Sequence, residues 1–260
     1  MSEIHKTAIV SPKAEIGENV KIGPFTVVED GVIIGDNCQI QSSVLLAEGT
    51  VLGKGVKVFH GAAIGSVPQD LKFSGEPTKA IVGDNTTIRE YVTFNRGTTY
   101  HPDNFRSECG KNCLLMAYSH VAHDCLIGDN VIMANSVNLA GHVEVHDFAI
   151  LGGLVPVHQF VKIGAHCMVG GGFRVQQDII PYSLVGGYPL KVVGMNSIGL
   201  KRRGFSPEAI RGIDTAYKIL FHSKLNTTQA VEKITNETDI VPEVQHILDF
   251  IKKSKRGIVK

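Results

Sequence analysis

The stretch "HVAHDCLIGDNVIMANSVNLAGHVEV", residues 120–145, decides the fold through a period of six. An aliphatic residue recurs at every sixth position, and a small or β-branched residue precedes it by two places. The same phase runs from Ile4 to Ile64 and reaches Phe94 by way of Val82 and Ile88. It then slips by three and continues from Cys109 to Val175. So many consecutive hexads in one phase indicate a repeat architecture.

A six-residue step suits a short strand followed by a sharp corner. Side chains alternate along a strand, so the aliphatic residue and the small residue two places before it both point inward. Glycine or asparagine near the corner tolerates the backbone angles that a corner requires. Three steps, or 18 residues, would close one triangular coil, and coils would stack at the roughly 4.8 Å spacing of paired strands. The sequence therefore predicts a parallel β-helix.

The hexads resemble those of the hexapeptide-repeat acyltransferases, whose β-helix is left-handed. The left hand is implied by this resemblance alone, because the general rule for parallel crossovers would give a right hand.

The overall composition gives no indication of a charged partner. The 260 residues include 26 basic and 25 acidic ones, so neither nucleic acid nor a membrane surface is predicted to bind. No run approaches the roughly 18 apolar residues of a membrane span, and the N-terminal segment lacks a signal-peptide core. The five cysteines are scattered, which is typical of free thiols in a reducing cytosol. A cytoplasmic location is therefore expected.

Two segments interrupt the hexads. They are "GSVPQDLKFSGEPTKAI", residues 65–81, and "NRGTTYHPDNFRSE", residues 95–108, and they predict loops near 66–80 and 98–108. Loops on a rigid scaffold commonly carry function, although a tolerated insertion remains the alternative. The first loop offers Gln69, Asp70 and Lys72 within a short segment, which favours a functional role.

The repeat ends near residue 190, and the composition after it is helical. Ser206 is a candidate N-cap and Pro207 suits the first helical position. We expect a β-helix domain over 1–190 and a helical domain over 191–260. The helices are predicted at 207–222, 227–236 and 242–254, where they would also cover one open end of the β-helix.

Residues 18 apart should stack in columns, and this places the polar side chains. His123, two places after Val121, should point outward at a corner. Three columns are of interest: His123 with Gly141 and Gln159, Asp124 with His142 and Phe160, and His120 with Asn138, Pro156 and Arg174. A further corner column holds Asn135, Gly153 and Gly171.

An apolar row on the outside of the prism predicts an interface. Leu114, Ile132, Ile150 and Met168 stack on one outer face. Four exposed aliphatic side chains in line mark a contact surface, and a cyclic homo-oligomer is the usual result. Cover by the C-terminal helices is the alternative.

The histidines allow three interpretations. A metal site needs three or four converging ligands with supporting hydrogen bonds. The γ-class carbonic anhydrases share this fold type and bind zinc between subunits, but their histidines are five apart, whereas His120 and His123 are three apart. A general base needs an orienting partner and an oxyanion donor, for which Asp124 and Gly141 are candidates. A histidine that only occupies a corner is the third possibility. We predict no metal.

Several motifs together resemble the UDP-N-acetylglucosamine O-acyltransferases. They are "QDLKFSGEPT", "REYVTFNRGT", "HVAHDC", "LAGHVEV", "VHQF" and "GLKRRGF". The similarity covers about residues 4–257. It implies a cytoplasmic homotrimer with active sites between subunits. The implied reaction transfers a (R)-3-hydroxyacyl group from acyl carrier protein to the 3-hydroxyl of UDP-N-acetylglucosamine, in the first step of lipid A biosynthesis.

The resemblance also implies the roles of individual residues. His123 corresponds to the general base, Asp124 to its orienting partner and Gly141 to the oxyanion donor. The implied substrate contacts are Gln69, Lys72, His120, His142, His158, Gln159, Asn196 and Arg202. The column Asn135, Gly153 and Gly171 corresponds to the acyl-chain groove, with Gly171 at the position of the hydrocarbon ruler. Ile198 departs from the family, some of whose members have a glutamate there.

Other interpretations stay open at this point. No Ser–His nucleophile pattern is present, so direct transfer without a covalent acyl-enzyme is expected. No cofactor is expected, because the carrier-bound acyl chain is a substrate. An acetyl-CoA-dependent sugar acetyltransferase, a γ-type carbonic anhydrase and a non-catalytic β-helix scaffold are the alternatives. The sequence does not distinguish a 3-hydroxyl acceptor from a 3-amino acceptor.

Overall fold

A computed structural model describes residues 2–100, 105–237 and 240–260. The described residues between 3 and 186 form a left-handed parallel β-helix, which confirms the predicted fold class. Residues 18 apart pair on neighbouring coils, as Glu3 does with Lys21. Each coil crosses three sheets in turn, here named A, B and C, so the prism has an A–B, a B–C and a C–A edge.

The strands are short, and all but one pair in parallel. Sheet A contains Glu3–Ile4, Lys21–Ile22, Gln39–Ile40, Lys57–Val58, Thr87–Ile88, Leu114–Leu115, Ile132–Met133, Ile150–Leu151, Met168–Val169, Ser183–Gly186 and the antiparallel Lys191–Met195. Sheet B contains Ile9–Val10, Val27–Val28, Leu45–Leu46, Ala63–Ser66, Thr93–Asn95, His120–Val121, Asn138–Leu139 and Pro156–Val157. Sheet C contains Glu15–Ile16, Ile33–Ile34, Thr50–Leu52, Lys79–Val82, Arg106–Cys109, Leu126–Ile127, Glu144–Val145 and Lys162–Ile163.

The interior is a continuous stack of the hexad residues. Val131 and Met133 are both fully buried in one core cluster, which confirms that positions two apart point inward. The corners adopt the left-handed conformation, at Asn130 as expected but also at the bulkier Leu154 and Phe160. Bulky residues adopt it because backbone hydrogen bonds tie each corner to its neighbour, such as Leu154 N–H to the Asn135 carbonyl at 2.9 Å.

The strand pairing of the prism continues past both long loops, with one register shift between Ile64 and Ser66 where the first loop begins. Ile64 pairs with Phe94 across the first loop, and Phe94 pairs with Val121 across the second. The inter-strand segments are residues 67–78 and 96–105. Residues 106–108 were predicted as loop but belong to a strand, because they pair with Lys79–Val82. Part of the second predicted loop, residues 101–104, lies outside the described residues.

The apolar outer row lies on sheet A, as the stacking arithmetic predicted. Leu114, Ile132, Ile150 and Met168 are aligned partners on successive strands, and each is half-buried in the single chain. The same column is polar and exposed on earlier coils, for example at Lys57. Only the last members of the row, Ile150 and Met168, border a groove formed with the C-terminal segment.

The C-terminal segment is helical, with α1 Ser197–Arg202, α2 Pro207–Tyr217, α3 Thr227–Glu237 and α4 Pro242–Lys253, and a π-helical turn Lys218–His222 follows α2. The three predicted helices are confirmed, with Ser206 Oγ accepting from Ala209 N–H at 3.0 Å as the N-cap. The short α1 was not predicted. No helix of the described residues has the length and apolarity needed to cross a membrane. The predicted division at residue 190 falls just before the last strand of sheet A and stays a prediction.

Candidate active site

The predicted catalytic residues lie on one edge of the prism, where the chain passes from sheet B to sheet C. His123 and Asp124 follow the strand His120–Val121, and Gly141 and His142 follow the next strand of sheet B. The two long loops leave the same B–C edge on the two preceding coils. One edge therefore carries both insertions and the candidate catalytic group.

His123 and Asp124 form a hydrogen-bonded pair. His123 Nδ1 lies 2.8 Å from Asp124 Oδ2, and the Asp124 side chain is completely buried. Asp124 occupies the left-handed conformation with φ of 59°, which aspartate tolerates better than most residues. Because a carboxylate only accepts, Nδ1 donates and Nε2 carries the lone pair. The pair can thus act as a base at Nε2.

The charge of Asp124 is held by hydrogen bonds. Burial raises the pKa of its carboxyl, but the hydrogen bond from His123 and those from the Thr98 amide and hydroxyl outweigh burial. The pKa of Asp124 consequently lies below its ordinary value. An ionised Asp124 can stabilise the imidazolium that forms when His123 takes a proton.

Gly141 lies under the His123 ring. A Cβ at Gly141 would lie 2.7 Å from Cε1 and 2.8 Å from Nε2 of His123, so only glycine leaves room for the ring. The sequence predicts only that Gly141 is a candidate oxyanion donor. Among the described residues none accepts a hydrogen bond from the Gly141 N–H, which leaves that amide available as an oxyanion donor.

His142 belongs to an aromatic column beside the pair. Its ring stacks on Phe160 with centroids 4.4 Å apart, and Tyr100 from the second loop lies against it at 4.5 Å. His142 Nδ1 is 3.7 Å from Asp124 Oδ2. These three rings form one side of the space next to His123.

One group could be considered for a metal ion. The ligand atoms of His123, Asp124 and His142 lie within 4.8 Å of one another, whereas His120, which the sequence had paired with His123, is not in this group. Both oxygens of Asp124 already accept hydrogen bonds from Thr98 and His123. The donor set therefore fits a hydrogen-bonded acid–base pair better than a catalytic metal, which needs its ligands free.

Sequence reasoning gave no role to Thr98. Its N–H donates to Asp124 Oδ1 at 2.8 Å and its hydroxyl to Asp124 Oδ2 at 2.7 Å. Thr98 ends the motif "REYVTFNRGT", which contributed to the family resemblance as a whole. The contact joins an insertion to a corner of the prism and follows no period, so only the structure assigns it.

The base of the second loop is tightly closed. A Cβ at Gly97 would lie 2.5 Å from the Arg106 backbone, and Gly97 N–H donates to the Lys79 carbonyl at 3.1 Å. Asn95 donates from its amide to the Val67 carbonyl at 2.9 Å, and Arg96 donates to the Glu48 carbonyl at 2.9 Å. These bonds join both loops to the coils beneath them.

The remaining predicted substrate residues on this edge are more accessible. His120 Nδ1 bonds to Thr93 Oγ1 at 2.7 Å, and burial, followed by the nearby His123, lowers the pKa of His120. His158 Nδ1 lies 3.1 Å from the Gln159 carbonyl, and Gln159 is exposed two coils after His123. Gln69 and Lys72 are exposed on the first loop.

Two other predicted groups lie elsewhere on the prism. Asn196 and Arg202 border a groove of about 470 Å³ at the end of sheet A. Asn196 also caps α1, accepting from Gly199 N–H at 3.2 Å, and donates to the His166 carbonyl at 2.9 Å. The structure therefore does not bring these residues to His123 within one chain.

The predicted acyl-groove column lies on the A–B edge. Gly153 and Gly171 stack there in line with Asn135. Gly171 has no left-handed backbone, whereas Gly172 has φ of 78°, so a backbone-angle requirement does not explain Gly171. A Cβ at Gly171 would lie 3.0 Å from the Gly153 carbonyl oxygen, so a side chain would fill tight space.

Two protein families match parts of the chain. The bacterial transferase hexapeptide family, with six repeats, matches residues 13–48 and 106–141. The second domain of UDP-N-acetylglucosamine O-acyltransferase matches residues 178–259.

Full-length relatives and solved structures are similar as well. An acyl-[acyl-carrier-protein]–UDP-N-acetylglucosamine O-acyltransferase of Thiobacillus denitrificans is 48% identical over 260 residues, all of both chains. A UDP-N-acetylglucosamine acyltransferase structure from Bacteroides fragilis is 46% identical with a TM-score of 0.96, covering 99% of this chain and 100% of that one. The Arabidopsis acyltransferase is 32% identical with a TM-score of 0.85, at 99% and 100% coverage.

Proposed function

The chain belongs to the UDP-N-acetylglucosamine O-acyltransferase family, and we propose from this that it transfers a (R)-3-hydroxyacyl chain from acyl carrier protein to the 3-hydroxyl of UDP-N-acetylglucosamine. That reaction belongs to lipid A biosynthesis. The observation that carries the chemistry is the 2.8 Å bond between His123 Nδ1 and the buried Asp124.

The transfer is a direct attack on the carrier thioester. His123 Nε2 takes the proton of the sugar hydroxyl as that oxygen bonds to the thioester carbonyl carbon. The Gly141 N–H stabilises the oxyanion of the tetrahedral intermediate, and Asp124 stabilises the imidazolium. The carbon–sulfur bond then breaks, and His123 returns the proton to the departing thiolate of the carrier.

The cysteines support transfer without a covalent acyl-enzyme. All five are free and buried inside the protein. Burial raises the pKa of Cys125 and of Cys167 to about 12, so these thiols are neither accessible nor ionised near neutral pH. We infer that the acyl group passes from carrier to sugar in one displacement sequence, and we expect no cofactor.

The scattered positions of the site residues support an active site between subunits. His123 lies on the B–C edge, Arg202 beside sheet A and Gly171 on the A–B edge. We infer a homotrimer in which the apolar row on sheet A packs against a neighbouring copy. That packing would bring the sheet A groove of one subunit towards the B–C edge of the next.

The substrate contacts follow from charge and position. Lys72 and Arg202 are exposed cations suited to the diphosphate of the nucleotide or the phosphate of the carrier's prosthetic group. Ile198, 65% exposed beside Arg202, offers the sugar nucleotide an apolar contact and no hydrogen bond. His142, His158 and Gln159 lie on the two coils that follow the coil of the base.

A direct assay tests the proposal. Purified protein would be incubated with UDP-N-acetylglucosamine and 3-hydroxyacyl carrier proteins of several lengths, with acetyl-CoA as the competing donor, and products read by mass spectrometry. His123→Ala should lower turnover by roughly 10²–10⁴-fold. His5→Ala is the control, because His5 is exposed and, among the described residues, its side chain forms hydrogen bonds only with Thr7. Wild-type transfer from acetyl-CoA alone, or near-normal turnover of His123→Ala, would reject the proposal.

A further inference from the structure

Thr98, near the start of the second loop, binds both carboxylate oxygens of Asp124. Asp124 is 3% exposed and Thr98 is 9% exposed. Thr98 contributes two donors to one carboxylate, its amide to Oδ1 and its hydroxyl to Oδ2. The Asp124 N–H donates to Ser107 Oγ at 2.8 Å, so both the main chain and the side chain of the aspartate are anchored.

The direction of the Thr98 hydroxyl proton is determined by its neighbours. The Tyr100 N–H donates to Thr98 Oγ1 at 3.2 Å and thereby uses an acceptor position of that oxygen. The Asp124 carboxylate can only accept, so the hydroxyl must donate to it. Oδ2 then accepts hydrogen bonds from two donors, the Thr98 hydroxyl and His123 Nδ1.

We propose that Thr98 is a positioning residue of the acyl transfer, holding Asp124 so that Oδ2 remains aligned with His123 Nδ1. This inference rests on the proposed role of His123 as base. Thr98 contacts no reacting atom and acts only through Asp124. The tightly closed base of the second loop at Gly97 holds the neighbouring Thr98 beside the aspartate.

The chemistry explains why two donors from one residue matter. A buried carboxylate with a single partner could rotate about its Cβ–Cγ bond and present either oxygen. With Oδ1 bound to the Thr98 amide and Oδ2 to its hydroxyl, rotation would break two hydrogen bonds to a charged group. The same bonds help to keep the pKa of Asp124 below its ordinary value, so that it stays ionised beside the imidazolium.

The experiment compares Thr98→Val, which removes the hydroxyl at nearly constant shape, with Thr98→Ser, which keeps it. Losing a hydrogen bond to a buried charge should lower kcat roughly ten- to a hundredfold, with the KM for UDP-N-acetylglucosamine changed less than about twofold. Thr98→Ser should restore kcat to within about threefold of wild type. Thr26→Val is the matched control. Thr26 is a buried threonine on a coil far from Asp124, and its hydroxyl donates to the Gln41 carbonyl.

A double-variant cycle separates positioning from general loss of structure. If Thr98 acts through Asp124, Thr98→Val should lower the kcat of Asp124→Ala by less than about twofold. An equal loss in both backgrounds, wild-type kcat in Thr98→Val, or no rescue by Thr98→Ser would overturn the inference. Should Thr98→Val fail to fold, Thr98→Ala replaces it with the same expected outcome.

The two levels of the proposal fail differently. A slow Asp124→Ala together with a fully active Thr98→Val rejects only the positioning role. A fully active Asp124→Ala rejects the proposed base pair, and the role of Thr98 falls with it.

Discussion

A single methyl group at Gly141 should disable the base without unfolding the protein. In Gly141→Ala the new Cβ would lie 2.7 Å from His123 Cε1 and 2.8 Å from Nε2. Carbon atoms in contact prefer about 3.5–4.0 Å, so the ring must retreat by about 1 Å. This movement would break the 2.8 Å hydrogen bond between His123 Nδ1 and Asp124, and it would shift Nε2 away from the attacking hydroxyl. Misplacement by about 1 Å costs roughly a hundredfold in kcat/KM.

The assay is kcat/KM for the acyl carrier protein donor, measured beside the thermal unfolding midpoint. Gly194→Ala is the matched control, because a Cβ there meets no atom within 4 Å and its backbone is not left-handed. We expect a hundredfold loss for Gly141→Ala and none for Gly194→Ala. A folded Gly141→Ala protein with wild-type kcat/KM would show that the ring does not need its present position, and the geometric basis of the base would be wrong.

Three further outcomes are expected. Ile132→Glu would place a charge in the apolar row on sheet A and should dissociate the proposed homotrimer in sedimentation experiments. Lys57→Glu, in the same column on an earlier coil, is the control and should leave the homotrimer intact. If both variants sediment as the wild type does, the interface lies on another face. Gly171→Met should shift kcat/KM towards shorter acyl chains, since each lost methylene costs about 0.8 kcal/mol, and an unaltered length profile would reject the ruler. Burial, with the nearby Arg203, lowers the pKa of His166 from 6.5 to about 4. The unfolded chain therefore binds a proton that the folded chain does not, and the free energy of unfolding should fall as pH drops from about 6.5 to about 4. His166→Gln should reduce that fall in denaturant titrations, and an identical fall would contradict the assignment.

The sequence was sufficient wherever the period applied. Register, core positions and the columns that place Gly141 over His123 all follow from counting by 18, because every coil obeys the same local rule. The start of the helix Pro207–Tyr217 followed from the cap at Ser206 and from Pro207 at the first helical position.

The rest depends on contacts that no period describes. The bonds between Thr98 and Asp124 join an insertion to a corner of the following coil, and the insertion has no repeated neighbour from which its shape can be inferred. The reason for Gly141 was also hidden, because the period gives the column but not the direction of the His123 ring. Strand pairing of residues 106–108 was missed because the pairing partner, Lys79–Val82, itself follows an insertion.

The insertions on the B–C edge have a consequence for how this architecture can diversify. Two lengthened coils sit among coils of regular length, and yet the ladders above and below them continue in step. Each strand is positioned by the coils that flank it, so the length of chain between two strands is not constrained by the core. Evolution can lengthen, shorten or replace a loop at this edge, and with it the contacts offered to a substrate, while every interior residue stays unchanged. The contacts offered to acceptor and donor can therefore change in such enzymes while the strands of the prism keep their pairing.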